Sequence, residues 1–81
     1  MYFVYVLKSL KDGTTYVGST ENVNVRLKQH NQGKTKSVKH KLPMELVYYE
    51  AYTTRTLARK REIELKKSSY AKEQLYKRIF E

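Results

Sequence analysis

The stretch that decides the fold spans residues 2–18 and reads YFVYVLKSLKDGTTYVG. Residues 2–9 are rich in Tyr, Phe and Val, a composition that favours a β-strand. Asp12-Gly13 is the strongest short signal for a hairpin turn. Residues 15–18 then predict the return strand, which Gly18 either ends or opens to a close backbone approach. The two strands of such a tight hairpin are antiparallel.

The remaining elements follow from capping residues and hydrophobic patterns. Residues 19–32 predict a helix, which Thr20 or Asn22 can cap and Gly33 can end. The later segments predict a basic loop over 33–43 and a third strand over 44–52. A helix then runs from a Thr53 or Thr54 cap to about Ser68, and a last helix is capped by Ser68 or Ser69. The order β-β-α-β-α-α predicts an α+β fold, a three-stranded antiparallel sheet flanked by helices.

Length and composition restrict the class of protein. A chain of 81 residues suits a single domain over 1–81 with one small core. The absence of cysteine excludes a disulfide scaffold, a thiol nucleophile and a cysteine zinc site. No apolar run approaches the roughly 20 residues of a membrane span, and the apolar start lacks the basic leader and cleavage site of a signal peptide. We therefore expect a cytoplasmic protein without a membrane partner.

The charge favours a polyanionic partner. Lys and Arg number 17 against 8 Asp and Glu, which gives a formal net charge of +9. Such a field favours DNA or RNA over a membrane surface. The excess is concentrated in the 33–43 loop and in the segment 55–67. The basic side chains of the loop either contact phosphates or are only solvated; if they bind, affinity falls steeply with salt.

The hairpin also predicts which side chains share a face. Odd positions of the first strand lie beside even positions of the second, so Tyr5 and Tyr16 point the same way. Gly18 is on that face too and leaves room beside Tyr5. Arg26 and His30 lie on or beside the apolar stripe of the following helix. If this helix packs on the hairpin face, a guanidinium and an imidazole approach two phenols.

Ordinary structural roles explain the same residues. Tyrosine in a strand is common core material, and a histidine on an apolar face is commonly hydrogen-bonded structure. An arginine beside a core usually pairs with a carboxylate. Glu62 offers one, because it flanks the helical stripe set by Ala58 and Leu65 and could face the same place.

The ordered motifs carry a resemblance to a known family. Phe3-Val4-Tyr5 is followed, after ten residues, by Tyr16-Val17-Gly18. The pattern continues through Gly18-Ser19-Thr20, Arg26, His30, Gly33, Pro43, residues 46–50, Ala58, Arg61-Glu62 and Leu65-Lys66. Over about residues 2–68 the chain resembles the small stand-alone bacterial members of the GIY-YIG nuclease superfamily. Phe3 and Val4 replace the usual Gly and Ile, and no Asn follows Glu62 where larger members have one.

The resemblance implies an endonuclease that hydrolyses phosphodiester bonds in DNA with one divalent cation, Mg²⁺ or Mn²⁺. It implies catalytic roles for Tyr5, Tyr16, Arg26 and His30, and a metal-binding role for Glu62. A carboxylate oxygen suits either cation, the cation stabilises the leaving alkoxide, and the planar guanidinium of Arg26 suits a phosphate.

The resemblance leaves the general base open between Tyr5 and Tyr16. A free phenol, with a pKa near 10, is a poor base at neutral pH. We expect Arg26, a metal and the basic loop to lower that value. His30 would hold a Tyr hydroxyl, shuttle a proton or contact phosphate.

The predicted contacts to nucleic acid complete the hypothesis of a DNA endonuclease acting in repair or recombination. They are Gly18, Lys34, Lys36, Lys39, His40 and Lys41, of which His40 matches a loop histidine of some members of the family. Glu64, Glu50 and Glu45 are weaker rivals of Glu62 for the metal.

Two alternatives belong to other classes of function. The first is a nucleic-acid-binding module with weak, absent or partner-dependent catalysis, in which Tyr2, Tyr48 and Tyr52 stack on bases. The second is an interaction domain for a protein of a repair complex, with Tyr76, Ile79 and Phe80 on the last helix as its docking face, unless these side chains pack on the domain's own core.

Overall fold

The computed structural model describes the backbone of all 81 residues and every side chain except that of Ser37. The elements in chain order are β1 (Tyr2–Ser9), β2 (Thr15–Thr20), α1 (Val23–Asn31), a 3₁₀ helix (Lys36–Lys41), β3 (Met44–Tyr52), α2 (Arg55–Lys67) and α3 (Ser69–Phe80). The three strands form one antiparallel sheet in the order β2-β1-β3. The predicted α+β fold is confirmed.

The central strand β1 is buried on both of its faces. Successive side chains of a strand point to opposite sides, so Val4 and Val6 lie on one face and Tyr5 and Leu7 on the other. The Val4 face packs against α2 and α3 through a cluster that includes Leu65. The Tyr5 face packs beneath α1 and the 3₁₀ helix. Each side of the sheet thus has its own small core.

The predicted helix over 19–32 begins later than expected. Ser19 and Thr20 extend β2 and pair with β1, so Gly18 does not end the strand. The side chain of Asn22 accepts a hydrogen bond from the Val25 amide and caps α1. Thr20 also has a cap-like hydroxyl, but it bonds only to Asn22. The first helix is therefore one turn shorter than its sequence pattern suggests.

The last two helices begin at the predicted caps. The Thr54 hydroxyl accepts from the amide of Leu57, and the Ser68 hydroxyl accepts from that of Ala71. Of the predicted docking face on α3, Tyr76 and Ile79 instead pack against the core of the Val4 face. Within the described residues, every helix is too short or too polar to cross a membrane.

Candidate active site

The buried pair of Tyr5 and His30 is the centre of the site. Tyr5 on β1 is 1% exposed, and His30 near the end of α1 is fully buried. The Tyr5 hydroxyl lies 2.9 Å from His30 Nε2. The other ring nitrogen, Nδ1, is buried without a hydrogen-bond partner among the described atoms. The predicted approach of an imidazole on α1 to the phenol face is confirmed by this geometry.

Gly18 makes the position of Tyr5 possible. It pairs directly with Tyr5 across the β1–β2 ladder. A Cβ atom built on Gly18 would lie 2.5 Å from the Tyr5 hydroxyl oxygen and 2.6 Å from the adjoining ring carbon. Because Gly18 itself is buried, the structure gives it a steric role beside the phenol. A contact with nucleic acid stays a prediction.

We expect Gly18→Ala to displace the Tyr5 ring and to lower the free energy of unfolding by about 1–3 kcal/mol, the usual range for overpacking a core. Urea denaturation measures this loss. Thr20→Ala is the matched control, because Thr20 lies on the same strand and already carries a Cβ atom. Wild-type stability of Gly18→Ala would show that the Tyr5 ring yields to the added methyl without cost.

Tyr16 lies beside this pair but reaches solvent. Its ring centroid is 6.4 Å from that of Tyr5 and 5.0 Å from that of His30. Tyr16 is half-buried, unlike Tyr5. The Lys66 ammonium of α2 lies 5.6 Å from the Tyr16 ring centroid. The predicted shared face of the two tyrosines is present, and Tyr16 is its accessible member.

Arg26 is half-buried on α1 and remains near the phenols. Its guanidinium donates to the Gln29 side chain at 3.1 Å. It also lies close enough to oppose, by its charge, the rise in the pKa of Tyr5. The alternative that Arg26 pairs with Glu62 is wrong, because the arginine bound to Glu62 is Arg59.

Glu62 packs on the other face of the sheet from Tyr5. Glu62 as a residue is only 4% exposed. One oxygen accepts from Ser19 Oγ at 2.6 Å and from Arg59 at 3.0 Å, and the other accepts from Lys66 at 2.7 Å. Ser19 pairs with Val4 in the ladder, which places this carboxylate on the Val4 face. The expectation that Glu62 and the phenols lie on the same face of the sheet is therefore wrong.

Lys66 joins the two faces around the edge strand. Since β2 is the outer strand of the sheet, a side chain from α2 can reach past it. The Lys66 ammonium forms an ion pair with the Glu62 carboxylate and also lies over the Tyr16 ring. We call the set Tyr5, Tyr16, Arg26, His30, Glu62 and Lys66 the β2-edge site. Sequence reasoning gave Lys66 no role, although its i,i+4 spacing from Glu62 was a usable signal.

The electrostatics set the protonation of the β2-edge site. Burial alone would raise the pKa of Glu62, but hydrogen bonds from Lys66 and Ser19 outweigh it and hold that pKa below its usual value. Burial raises the pKa of Tyr5 to about 12 despite the opposing Arg26. Burial and Arg26 both lower the pKa of His30. At neutral pH this set thus holds a carboxylate, a protonated Tyr5 and a neutral imidazole. The expected lowering of the phenol pKa is wrong for Tyr5.

The rival carboxylates have other partners or lie apart. Glu50 accepts from the hydroxyls of Tyr48 and Tyr52 and from Arg61. Two of the tyrosines expected to stack on bases are thus engaged in this network. Glu64 is 53% exposed on its side chain and pairs with Arg61. Glu45 is exposed on β3.

Comparisons with known proteins identify the family of this chain. Residues 1–77 match the sequence model of the GIY-YIG catalytic domain. The chain belongs to the GIY-YIG family. It is similar to a UPF0213 protein of Staphylococcus epidermidis, with 46% identity over 99% of this chain and 95% of that protein. A UPF0213 protein of Staphylococcus aureus is 44% identical over 80% of this chain and 79% of its own length.

A solved structure supports the same fold. The solution NMR structure of a UPF0213 protein from Bacillus halodurans matches with a TM-score of 0.57 at 38% identity, over 95% of this chain and 84% of that chain. The GIY-YIG domain is the catalytic domain of a nuclease superfamily. The predicted family is confirmed, and a nucleic-acid substrate is the functional class that this membership implies.

GIY-YIG nucleases generally use a divalent metal, and the donor chemistry at Glu62 fits one. Mg²⁺ is commonly bound through one or two carboxylates together with water and substrate phosphate. Glu62 is ionised at neutral pH, and two of its three partners, Arg59 and Lys66, are exposed cations on long side chains that can move away. Among the described residues no group of three or more His, Cys, Asp or Glu could form an all-protein cage, so water and phosphate would complete the shell.

The predicted loop contacts lie outside the β2-edge site. Lys34, Lys36, Lys39 and His40 are exposed, and Lys41 is half-buried. The segment is an ordered 3₁₀ helix that is anchored by the buried Val38. Its basic side chains are available to a polyanion, and their contact with phosphate stays a prediction.

Proposed function

We propose that this GIY-YIG protein is a divalent-metal-dependent endonuclease that hydrolyses phosphodiester bonds in DNA, as a single domain over residues 1–81. A role in repair or recombination is part of the same proposal. The observation that carries it is the β2-edge site. There an accessible phenol and an arginine on one side of the edge strand are joined through Lys66 to a buried, ionised carboxylate on the other side.

The geometry favours a division of labour between the two tyrosines. Tyr5 is buried, bound to His30 and has a pKa of about 12, so it keeps its proton and positions the imidazole. Tyr16 reaches solvent on the same face. We therefore assign to Tyr16 the orientation of the attacking water and, in its phenolate form, the acceptance of the proton of that water.

The other groups of the β2-edge site act on the phosphate and the cation. Arg26 would donate to two phosphate oxygens, since its planar guanidinium stays charged. Glu62 would hold the Mg²⁺ or Mn²⁺ ion, with Arg59 and Lys66 released towards the DNA backbone. A bound cation polarises a phosphate oxygen and stabilises the leaving alkoxide.

Paired substitutions test the assignment of the tyrosines. Tyr5→Phe leaves both ring nitrogens of the buried His30 unpaired, so we expect it to lower the free energy of unfolding by about 1–3 kcal/mol. Tyr16→Phe should fold like wild type and lose on the order of 10²–10⁴ in cleavage rate, the usual worth of a general base. Urea denaturation and single-turnover cleavage measure the two effects. Full activity of Tyr16→Phe would contradict the assignment.

A second candidate function rests on the state of Glu62. Its two carboxylate oxygens together accept three hydrogen bonds, and two of these bonds come from the cations Arg59 and Lys66. This observation favours a nucleic-acid-binding module in which Lys66 and Arg59 keep a metal away. Isothermal titration of Mn²⁺ distinguishes the two functions: saturable binding that Glu62→Gln removes supports the nuclease, and no binding at millimolar Mn²⁺ in the presence of DNA supports the module.

A further inference from the structure

A groove of about 540 Å³ lies between the β1–β2 turn and the last helix, outside the β2-edge site. We call it the hairpin–α3 groove. It is lined by Lys8, Gly13, Thr14, Thr15, Lys72, Tyr76 and Phe80. It thus combines the tip of the hairpin with one side of α3, and none of these residues belongs to the β2-edge site.

Two neighbouring aromatic rings in this groove are flanked by two ammonium groups. The rings of Tyr76 and Phe80 meet edge to face with centroids 5.6 Å apart. Lys8 Nζ lies 5.6 Å from the Phe80 centroid, and Lys72 Nζ lies 5.6 Å from the Tyr76 centroid. A hydrogen bond between the hydroxyls of Tyr76 and Thr15 holds the first ring in place. Phe80 is the exposed ring, with 43% of its surface accessible.

The two ammonium groups have no charged partner. In the part of the chain whose side chains are described, neither Lys8 nor Lys72 forms an ion pair. The lining contains no carboxylate either. Lys77 on the same helix differs, because it pairs with Glu73 at 3.6 Å. In the described residues, the groove therefore presents positive charge without an ion-pair partner next to the exposed Phe80 side chain.

We infer that the hairpin–α3 groove binds an unpaired stretch of nucleic acid, with a base stacked on Phe80 and the flanking phosphates on Lys8 and Lys72. Sequence-tolerant binding of single strands combines aromatic platforms with cations that follow the backbone. An acidic peptide would pair with the ammonium groups, but its carboxylates would not stack on the exposed Phe80 ring. The charge of +9 on the whole chain favours the same polyanion.

The groove borders the same edge strand as the candidate active site. Thr15 lines the groove and Tyr16 belongs to the β2-edge site, and consecutive Cα atoms are about 3.8 Å apart. Their side chains point to opposite faces of the edge strand. The inferred path of an unpaired strand therefore runs from the active site around this edge to the groove. This inference rests on the proposed function, because it assigns to the proposed nuclease a substrate with an unpaired segment.

Fluorescence anisotropy with a short labelled oligothymidine, in EDTA so that nothing is cleaved, tests the inference. We expect Phe80→Ala to weaken binding on the order of tenfold, the usual effect of removing one stacking platform, and Phe80→Trp to retain it. Lys8→Ala and Lys72→Ala should each reduce the slope of log affinity against log salt by about 1. Lys77→Ala is the matched control and should leave that slope closer to wild type.

Wild-type affinity of Phe80→Ala for the oligonucleotide would overturn the inference. So would displacement of the oligonucleotide by a polyglutamate peptide of equal charge at the same concentration, since the occupant would then be an acidic protein segment. Phe80 is exposed, so a folded variant is expected, and circular dichroism verifies it. If the proposed nuclease fails instead, oligonucleotide binding persists in EDTA while Mg²⁺ or Mn²⁺ produces no cleavage.

Discussion

Glu62→Gln is expected to abolish metal-dependent cleavage of DNA and to leave folding and DNA binding nearly unchanged. The exposed Lys66 ammonium loses its 2.7 Å bond and turns to solvent, because the amide NH2 replaces the oxygen that accepts from it. The amide keeps the size of the side chain, and its one oxygen still accepts from Ser19, as Glu62 does at 2.6 Å. It lacks the negative charge that a hard divalent cation requires. We expect a loss of at least about 10²–10³ in single-turnover rate, the scale on which one electrostatic group contributes to catalysis.

Glu64→Gln is the matched control for this experiment. It removes the same charge from the same helix, but its carboxylate is largely exposed and pairs with Arg61. It should therefore cleave at the wild-type rate. Equal loss in both variants would indicate an effect of net charge, and equal activity in both would remove Glu62 from the site.

Arg26→Ala is expected to have the second largest effect, a loss on the order of 10²–10³ in cleavage rate. The guanidinium lies beside the buried phenol, where it opposes the rise in the pKa of Tyr5, and it donates a hydrogen bond to the Gln29 side chain. Because Arg26 is half-buried and forms no ion pair with the described carboxylates, stability should change little.

Lys28→Ala controls for the lost charge, since Lys28 is an exposed cation on the same helix. The measurement is the rate at saturating protein, which separates chemistry from weaker binding. Arg26→Lys should restore only part of the rate, because an ammonium lacks the planar two-point geometry. Cleavage by Arg26→Ala at the rate of Lys28→Ala would contradict the assigned role.

The sheet and half of the site could be predicted from local sequence. The Asp12-Gly13 turn determines the parity of the hairpin, and that parity places Tyr5 and Tyr16 on one face. The third strand has the predicted bounds, because Pro43 and a run of apolar residues mark its start. The periodicity of α1 indicated that His30 points inwards, and it is fully buried.

The other half depends on three-dimensional packing that a helical wheel does not describe. A wheel relates Glu62 to the stripe of Ala58 and Leu65, but it does not tell which face of the sheet α2 covers. The bridge formed by Lys66 around β2 depends on that strand being at the edge. The high pKa of Tyr5 follows from the burial of its side chain, and nearby charges alone do not predict it.

We expect the β2-edge site to hydrolyse phosphodiester bonds with a divalent cation. The most direct test incubates the purified protein with supercoiled plasmid and with branched DNA in Mg²⁺, Mn²⁺ or EDTA, with Glu62→Gln in parallel. We expect nicking or strand scission by the wild type in the metal-containing reactions alone, and none by the variant. Salt-dependent DNA binding without scission in either metal would contradict it and would leave a nucleic-acid-binding module.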